Sequence, residues 1–287
     1  MRRHRLAVPA AGAPGDTPAP ALLCLLGLLG LAFLCGCGGG LPLLHPARTL
    51  PAGQARASGG FSGTIALGTL SSAIRNAESD PMGGGVTGDT TFAKGALVAA
   101  SVAPGLSPLV GARVGVGWQS EGGLAYTGRA IRADVRRSFD LSTHWALSIG
   151  AGGSAALYGH QDGSTLEDVS LNQLHGWGAD VPLLVGYQST GDIYMLWIGA
   201  RGGGEHVDIS DVTSEPKAVT LGSPPVGLSA TRYWGGGLLG FAVGFRHVHV
   251  ALELDGSYAT ITGSYAGTSA SVAGFTLAPA TALWWDF

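Results

Sequence analysis

From Phe61 to Phe287 the side chains alternate, residue by residue, between apolar and small or polar types, and no stretch in that span reaches the roughly 20 apolar residues a membrane helix needs. Together these two facts are restrictive. A chain that alternates in this way and enters lipid must satisfy its backbone between strands, and only a sheet closed on itself does so. Ten alternating segments are predicted, near 61–69, 91–103, 108–119, 124–139, 143–159, 175–188, 192–204, 229–246, 247–260 and 269–287. The alternation is weakest in the first two, and eight is the next even count below ten. The composition of 49 glycines and 12% charged residues, with a mean hydropathy of +0.29, suits a wall with lipid on one side and a tight interior on the other. An average soluble domain carries about twice that share of charge. The expected fold is all-β, a single closed antiparallel transmembrane barrel forming one domain.

The phase of each segment says which face meets lipid. In 143–159 the residues Trp145, Leu147, Ile149, Ala151, Ala155 and Leu157 share one face, against Ser148, Gly150, Gly152 and Ser154 on the other. Val114 and Val116 oppose Arg113, and Val181 and Leu183 oppose Asp180, so the charges fall on the polar phase. Extending that phase places Arg113, Arg132, Asp134, Arg136, Asp180, Arg201, Arg232, His249, Glu253 and Asp255 in the lumen. Five arginines and four carboxylates are nearly balanced, and in a narrow interior they are expected to pair through charge-assisted hydrogen bonds. A packed polar core and an ion-selecting constriction both fit such a set; the small width of about ten strands favours packing. Arg129 and Arg137 take the lipid phase and are expected at opposite rims of the 124–139 strand, since a midplane charge on lipid costs a few kcal/mol. Trp118, Trp145, Tyr158, Trp177, Tyr187, Tyr194, Tyr233, Phe245, Tyr258, Trp285 and Phe287 sit towards segment ends, where aromatic rings favour the headgroup level. Pro182 and Pro279 fall inside segments and lack a ladder donor, so each predicts a bulge or a gap in pairing.

The links alternate in kind. Short ones fall at Pro104–Ser107, Asp140–Ser142, Ser189–Gly191 and Arg246–His247, and the others run through 70–90, 119–123, 160–174, 205–228 and 261–268. Short periplasmic turns with longer extracellular loops are the pattern of bacterial outer-membrane barrels, and an even strand number leaves both chain ends on the short-turn side.

Residues 1–37 read as an export signal, with Arg2, Arg3 and Arg5 ahead of an apolar run from Ala21 to Leu34 that is too short to span a bilayer. Leu34-Cys35-Gly36-Cys37 follows and resembles the lipobox of lipoprotein signal peptides, departing from it at Cys35; the resemblance implies acylation of Cys37. The competing reading is an uncleaved anchor or cleavage elsewhere, as at Ala55-Arg56-Ala57. Residues 38–60, rich in Gly, Pro and Ala, are expected to be a flexible tether, and 61–287 the barrel. Cys24, Cys35 and Cys37 all belong to the signal, so the exported part has no disulfide and no cysteine metal site.

The end of the chain resembles the signal read by the bacterial barrel-assembly machinery, with Phe287 last and Leu283 and Trp285 on its phase. That resemblance is to the class of small outer-membrane barrels, over about residues 61–287, and implies the outer membrane of a Gram-negative bacterium as location, with its lipid and the assembly machinery as partners. It implies no activity. A formal net charge of −3 without any basic run gives no footprint for nucleic acid. Neither G-x-S-x-G, H-E-x-x-H nor a phosphate loop is present, so no catalytic residue, metal or cofactor is assigned. His160, Asp162, His175, Glu205, His206 and Asp208 are the candidates for a loop site, as a general base with its orienting carboxylate or a cation site; a solvated acidic loop is the plainer account. The function expected is that of an outer-membrane barrel with a mostly closed lumen in a structural or surface-binding role, its extracellular ligand unspecified. A narrow porin-like passive channel and a rim-active hydrolase are the alternatives.

Overall fold

The structure, a computed structural model, describes residues 40–79, 89–157, 166, 171, 173–210, 212 and 226–287. Ten described strands form one closed antiparallel barrel: β1 (Ala55–Ala66), β2 (Gly105–Gly117), β3 (Ser120–Tyr126), β4 (Ala130–Asp140), β5 (Trp145–Ala156), β6 (His175–Gln188), β7 (Tyr194–Ile209), β8 (Leu228–Phe245), β9 (Val248–Tyr265) and β10 (Thr268–Asp286). Each strand pairs with its sequence neighbour, and β10 returns to β1 with Arg56 opposite Asp286. The Arg56 guanidinium clasps the Asp286 carboxylate at 2.6 and 2.9 Å. Both strands therefore meet at one rim, here called the lower. No described helix is long and apolar enough to cross a membrane.

The expected phase holds around the wall. Val114 and Leu183 are 46% and 45% exposed on the outside, while Arg132 and Asp180 are 2% and 7% exposed within. Trp145, Tyr187 and Tyr194 form a run of ring contacts, 5.4 and 5.9 Å between centroids, low on the outer surface, and Tyr258 meets Phe275 edge-on higher up. Both prolines leave gaps without a shift of register. Next to Pro182 the β5–β6 ladder skips from Ile149↔Leu183 to Gly152↔Asp180, and next to Pro279 the β1–β10 ladder skips from Ser62↔Ala280 to Ile65↔Leu277. Each proline stays paired with its other neighbour.

The count of ten arises differently from the expectation. Residues 91–103 are not a strand: 91–102 lie in a helix, α2 (Thr90–Val102), which follows α1 (Thr69–Glu78) and has Ala103 as its C-cap. The Asp89 carboxylate accepts from the amides of Thr91 (2.8 Å) and Phe92 (3.2 Å), a helix start that outweighs the apparent alternation. The lost strand is recovered because 124–139 is broken near Thr127–Arg129, dividing β3 from β4. Link classes shift accordingly. Pro104 follows α2, and the lower rim instead carries a tight turn at Trp118–Gln119, both in left-handed conformation with φ of 50° and 57°, the primed geometry that suits a hairpin. At the upper rim Ala266–Gly267 is equally tight, so the length difference between the rims is smaller than expected.

Two inserts fill the barrel. The helices occupy the upper lumen: Leu70, Ile74, Phe92, Leu97 and Val98 pack against inward residues Val207, Ile209, Ala230 and Ile261 of the wall. Gly95 lets α1 and α2 touch, since a Cβ there would come 2.3 Å from that of Ala77 and 2.8 Å from the Ala73 carbonyl oxygen. The lower lumen holds the segment before β1. Of residues 38–60, the described part, 40–60, is thus not an external tether: Leu43, Leu44, His45 and Ala47 are buried, and 55–60 are strand. The physical reason is that the lumen offers partners for the segment's backbone, which composition does not reveal.

Candidate functional site

Ionised side chains of five strands form one ladder across the lumen. Arg113 of β2 bridges Glu121 of β3 and Asp134 of β4; Arg132 spans Asp134 and Asp180 of β6, gripping the latter at 3.1 and 3.0 Å; Arg201 of β7 reaches Asp180 at 2.6 Å. Arg136 joins at Glu121, 2.8 Å away. Alternating strand geometry puts these groups on one face, and charge alternation along the ladder leaves each with an opposite neighbour. Six of the ten residues expected in the lumen are in this ladder. The other four also face inward but have different partners.

Arg232 lies 3.9 Å from Glu205 and donates to the Ser101 carbonyl at 3.4 Å, while Arg129 donates to the Ala100 carbonyl at 2.6 Å. Both cations meet the C-terminus of α2, where backbone carbonyls lack helical partners and the helix dipole is negative. Arg129 is therefore buried under the hairpin rather than placed on the lipid phase; Arg137 is exposed, over the Phe139 ring. His249 pairs through Nε2 with the Asp192 carbonyl at 2.8 Å, low in the barrel. Asp255 borders a cavity of about 90 Å³ between the two inserts, with Thr64, Arg201 and Trp234 also in its wall. A space of that size and polarity suits a few waters.

Glu253 defines the lower lumen. Its carboxylate accepts from two consecutive amides, Leu43 at 2.7 Å and Leu44 at 2.9 Å, and from Trp197 Nε1 at 2.9 Å. Glu121 accepts from the Leu50 amide at 2.8 Å. Arg136 donates to the carbonyls of Pro46, Ala47 (3.3 Å) and Arg48 (3.2 Å), Arg201 to that of Leu41, and Ser62 to that of Gly40 at 3.1 Å. Seated among them, His45 lies outside the barrel strands. Burial first, and then the charges of Arg136, Arg113 and Arg132, hold its imidazole well below its ordinary pKa.

The sequence pattern does not mark Glu121, which sits beside Gly122-Gly123 within the expected link 119–123, nor the inward role of Glu205. No signal in side-chain identity marks residues 40–50 as a lumen insert, because their contacts run through the main chain. The loop candidates divide. Cys37, His160 and Asp162 lie outside the described residues. Glu205, His206 and Asp208 belong to β7 rather than a loop, and alternation sends Glu205 inward. His206 and Asp208 face outward at the upper rim: His206 Nδ1 is 2.9 Å from the Thr231 hydroxyl, and its Nε2 is 2.7 Å from the Asp208 carboxylate. His175 is exposed opposite Asp208. Leu283, Trp285 and Phe287 all point outward. Among the described residues no group of three or more His, Cys, Asp or Glu is arranged to hold a metal.

No protein-family model matches the chain, and no curated protein matches it. The site therefore stands on its own geometry.

Proposed function

We propose that the chain is a bacterial outer-membrane barrel whose lumen is closed from both ends and whose role is structural or surface-binding. One observation carries this reading: the outer wall is a continuous belt of Val, Leu, Ile and aromatic side chains, while the arginines and carboxylates are buried and paired inside. Such a surface is costly in water and favourable in lipid. The assembly machinery would read Leu283, Trp285 and Phe287. Folded protein in detergent is expected to migrate differently on gels before and after boiling, and to insert into lipid vesicles; a monodisperse protein in detergent-free buffer would overturn the reading. Planar-bilayer recording is expected to show no discrete steps, because two inserts occupy the lumen.

Acylation of Cys37 belongs to the same proposal. The Gly40 carbonyl is held by Ser62, well inside β1, so a Cys37 anchored in the periplasmic leaflet would draw the segment out and leave the lower lumen open, a state distinct from the closed one. Acyl labelling in cells that disappears in Cys37→Ser checks it. A rim-active hydrolase is the second reading, favoured by the Asp208–His206–Thr231 contacts, which give a general base, its orienting carboxylate and a hydroxyl nucleophile. Ester hydrolysis lost in both His206→Ala and Thr231→Ala would support it.

A further inference from the structure

The geometry points to the lower lumen as a binding site for an extended apolar peptide, read through its backbone and occupied here in cis by residues 40–50. Four wall residues, Glu253, Glu121, Arg136 and Arg201, each place at least one hydrogen bond on a main-chain amide or carbonyl of the segment. Main-chain groups are common to every peptide, so this recognition does not require this particular sequence. The side chains supply apolar fill instead: Leu43, Leu44 and Ala47 share a cluster with Trp197, Trp284 and Leu184. Pro42 and Pro46 favour an extended course and have no amide to satisfy. One charged side chain is read, at the mouth, where Arg48 meets Asp140 at 3.1 Å and the carbonyls of Ser142 and Thr143. The ligand class is therefore an extended, proline-containing apolar peptide with a cation near the end that enters last.

The wall is built to survive an exchange. Glu121 remains bonded to Arg113 and Arg136, and Glu253 to Trp197, when the segment departs. Its link to β1, Pro51–Gln54, is exposed along its whole length. This inference needs only the lumen geometry and holds whatever the outer wall contacts.

The test uses the full chain with a protease recognition sequence inserted in the Pro51–Gln54 turn, cut after folding, and a fluorescent synthetic peptide of residues 40–52 as the probe. Saturable exchange into the cut barrel is expected. N-methylation of the Leu43 and Leu44 amides, which removes the segment's two donors to Glu253, should weaken binding by about a hundredfold or more. Replacing Leu43 by Ile should change it by less than about tenfold. The absence of exchange at any probe concentration, in barrel that still migrates as folded, overturns the inference, as does N-methylated peptide that binds equally well. Failure of the membrane reading looks different: it shows in the gel migration and solubility of the uncut protein.

Discussion

The two halves of the lumen are filled by opposite means. Above, a helical hairpin satisfies its own backbone and offers apolar side chains to an apolar stretch of wall; below, an extended segment has no internal ladder, and the wall must supply the missing partners. Charged residues accordingly crowd the middle and lower lumen and thin out around α2, where Arg129 and Arg232 donate to helix-end carbonyls and share one more distant carboxylate, Glu205, at 3.8 and 3.9 Å. The contrast follows from backbone accounting, because a helix enters a barrel already hydrogen-bonded and a strand-like insert does not. A barrel interior therefore announces what fills it by where its ions stand.

The largest effect should come from Glu121→Ala. It removes the carboxylate shared by Arg113, Arg136 and the Leu50 amide, and breaking a buried ionic set typically costs about 3–5 kcal/mol. Urea midpoints from tryptophan fluorescence measure it, and a shift no larger than that of Arg232→Ala, whose closest carboxylate is 3.9 Å away, would break the distinction between the halves. Next is Leu97→Ala, fully buried in the upper cluster, with an expected loss of about 3 kcal/mol. If the halves are separately built, the two losses add in the double variant; strong coupling would show a single core. Asp89→Ala removes the α2 cap and should cost about 1 kcal/mol, with amide exchange quickened in α2 and unchanged at Leu43 and Leu44.

Legibility in the sequence tracks the same contrast. Phase was readable wherever bulky and charged residues alternate, as in β4 and β6, because the outer surface and the lumen carry opposite chemistry at successive positions. It failed over 91–103, where Ala, Gly and Val carry little contrast and a helix covered by the wall and by α1 has no broad polar stripe to betray its period. The count of ten came from two compensating errors there and at Thr127–Arg129. Most of the charge ladder was readable, since its arginines and aspartates alternate with bulky apolar residues along single strands. Glu121 was hidden by its glycine neighbours, and the segment at 40–50 by the anonymity of peptide groups.

The smallest effect is a pH dependence confined to the lower half. His45 sits with its Nδ1 unpartnered beside Arg136, Arg113 and Arg132, so the seated segment disfavours its charged form, whereas a released segment titrates near the ordinary value of about 6.5. The seated pKa is depressed, so the released state binds the extra proton and seating weakens as pH falls below that value, with no contribution above it. From pH 8 to pH 6 the ratio of seated to released segment should fall about fourfold. Amide hydrogen exchange at Leu43 and Leu44, whose N–H groups donate to Glu253 only in the seated segment, reports the seated fraction. The drop should vanish in His45→Gln and leave the α2 amides untouched. A fall that persists in His45→Gln would move the titration to the wall and make the polar half, rather than its insert, the pH-sensitive element.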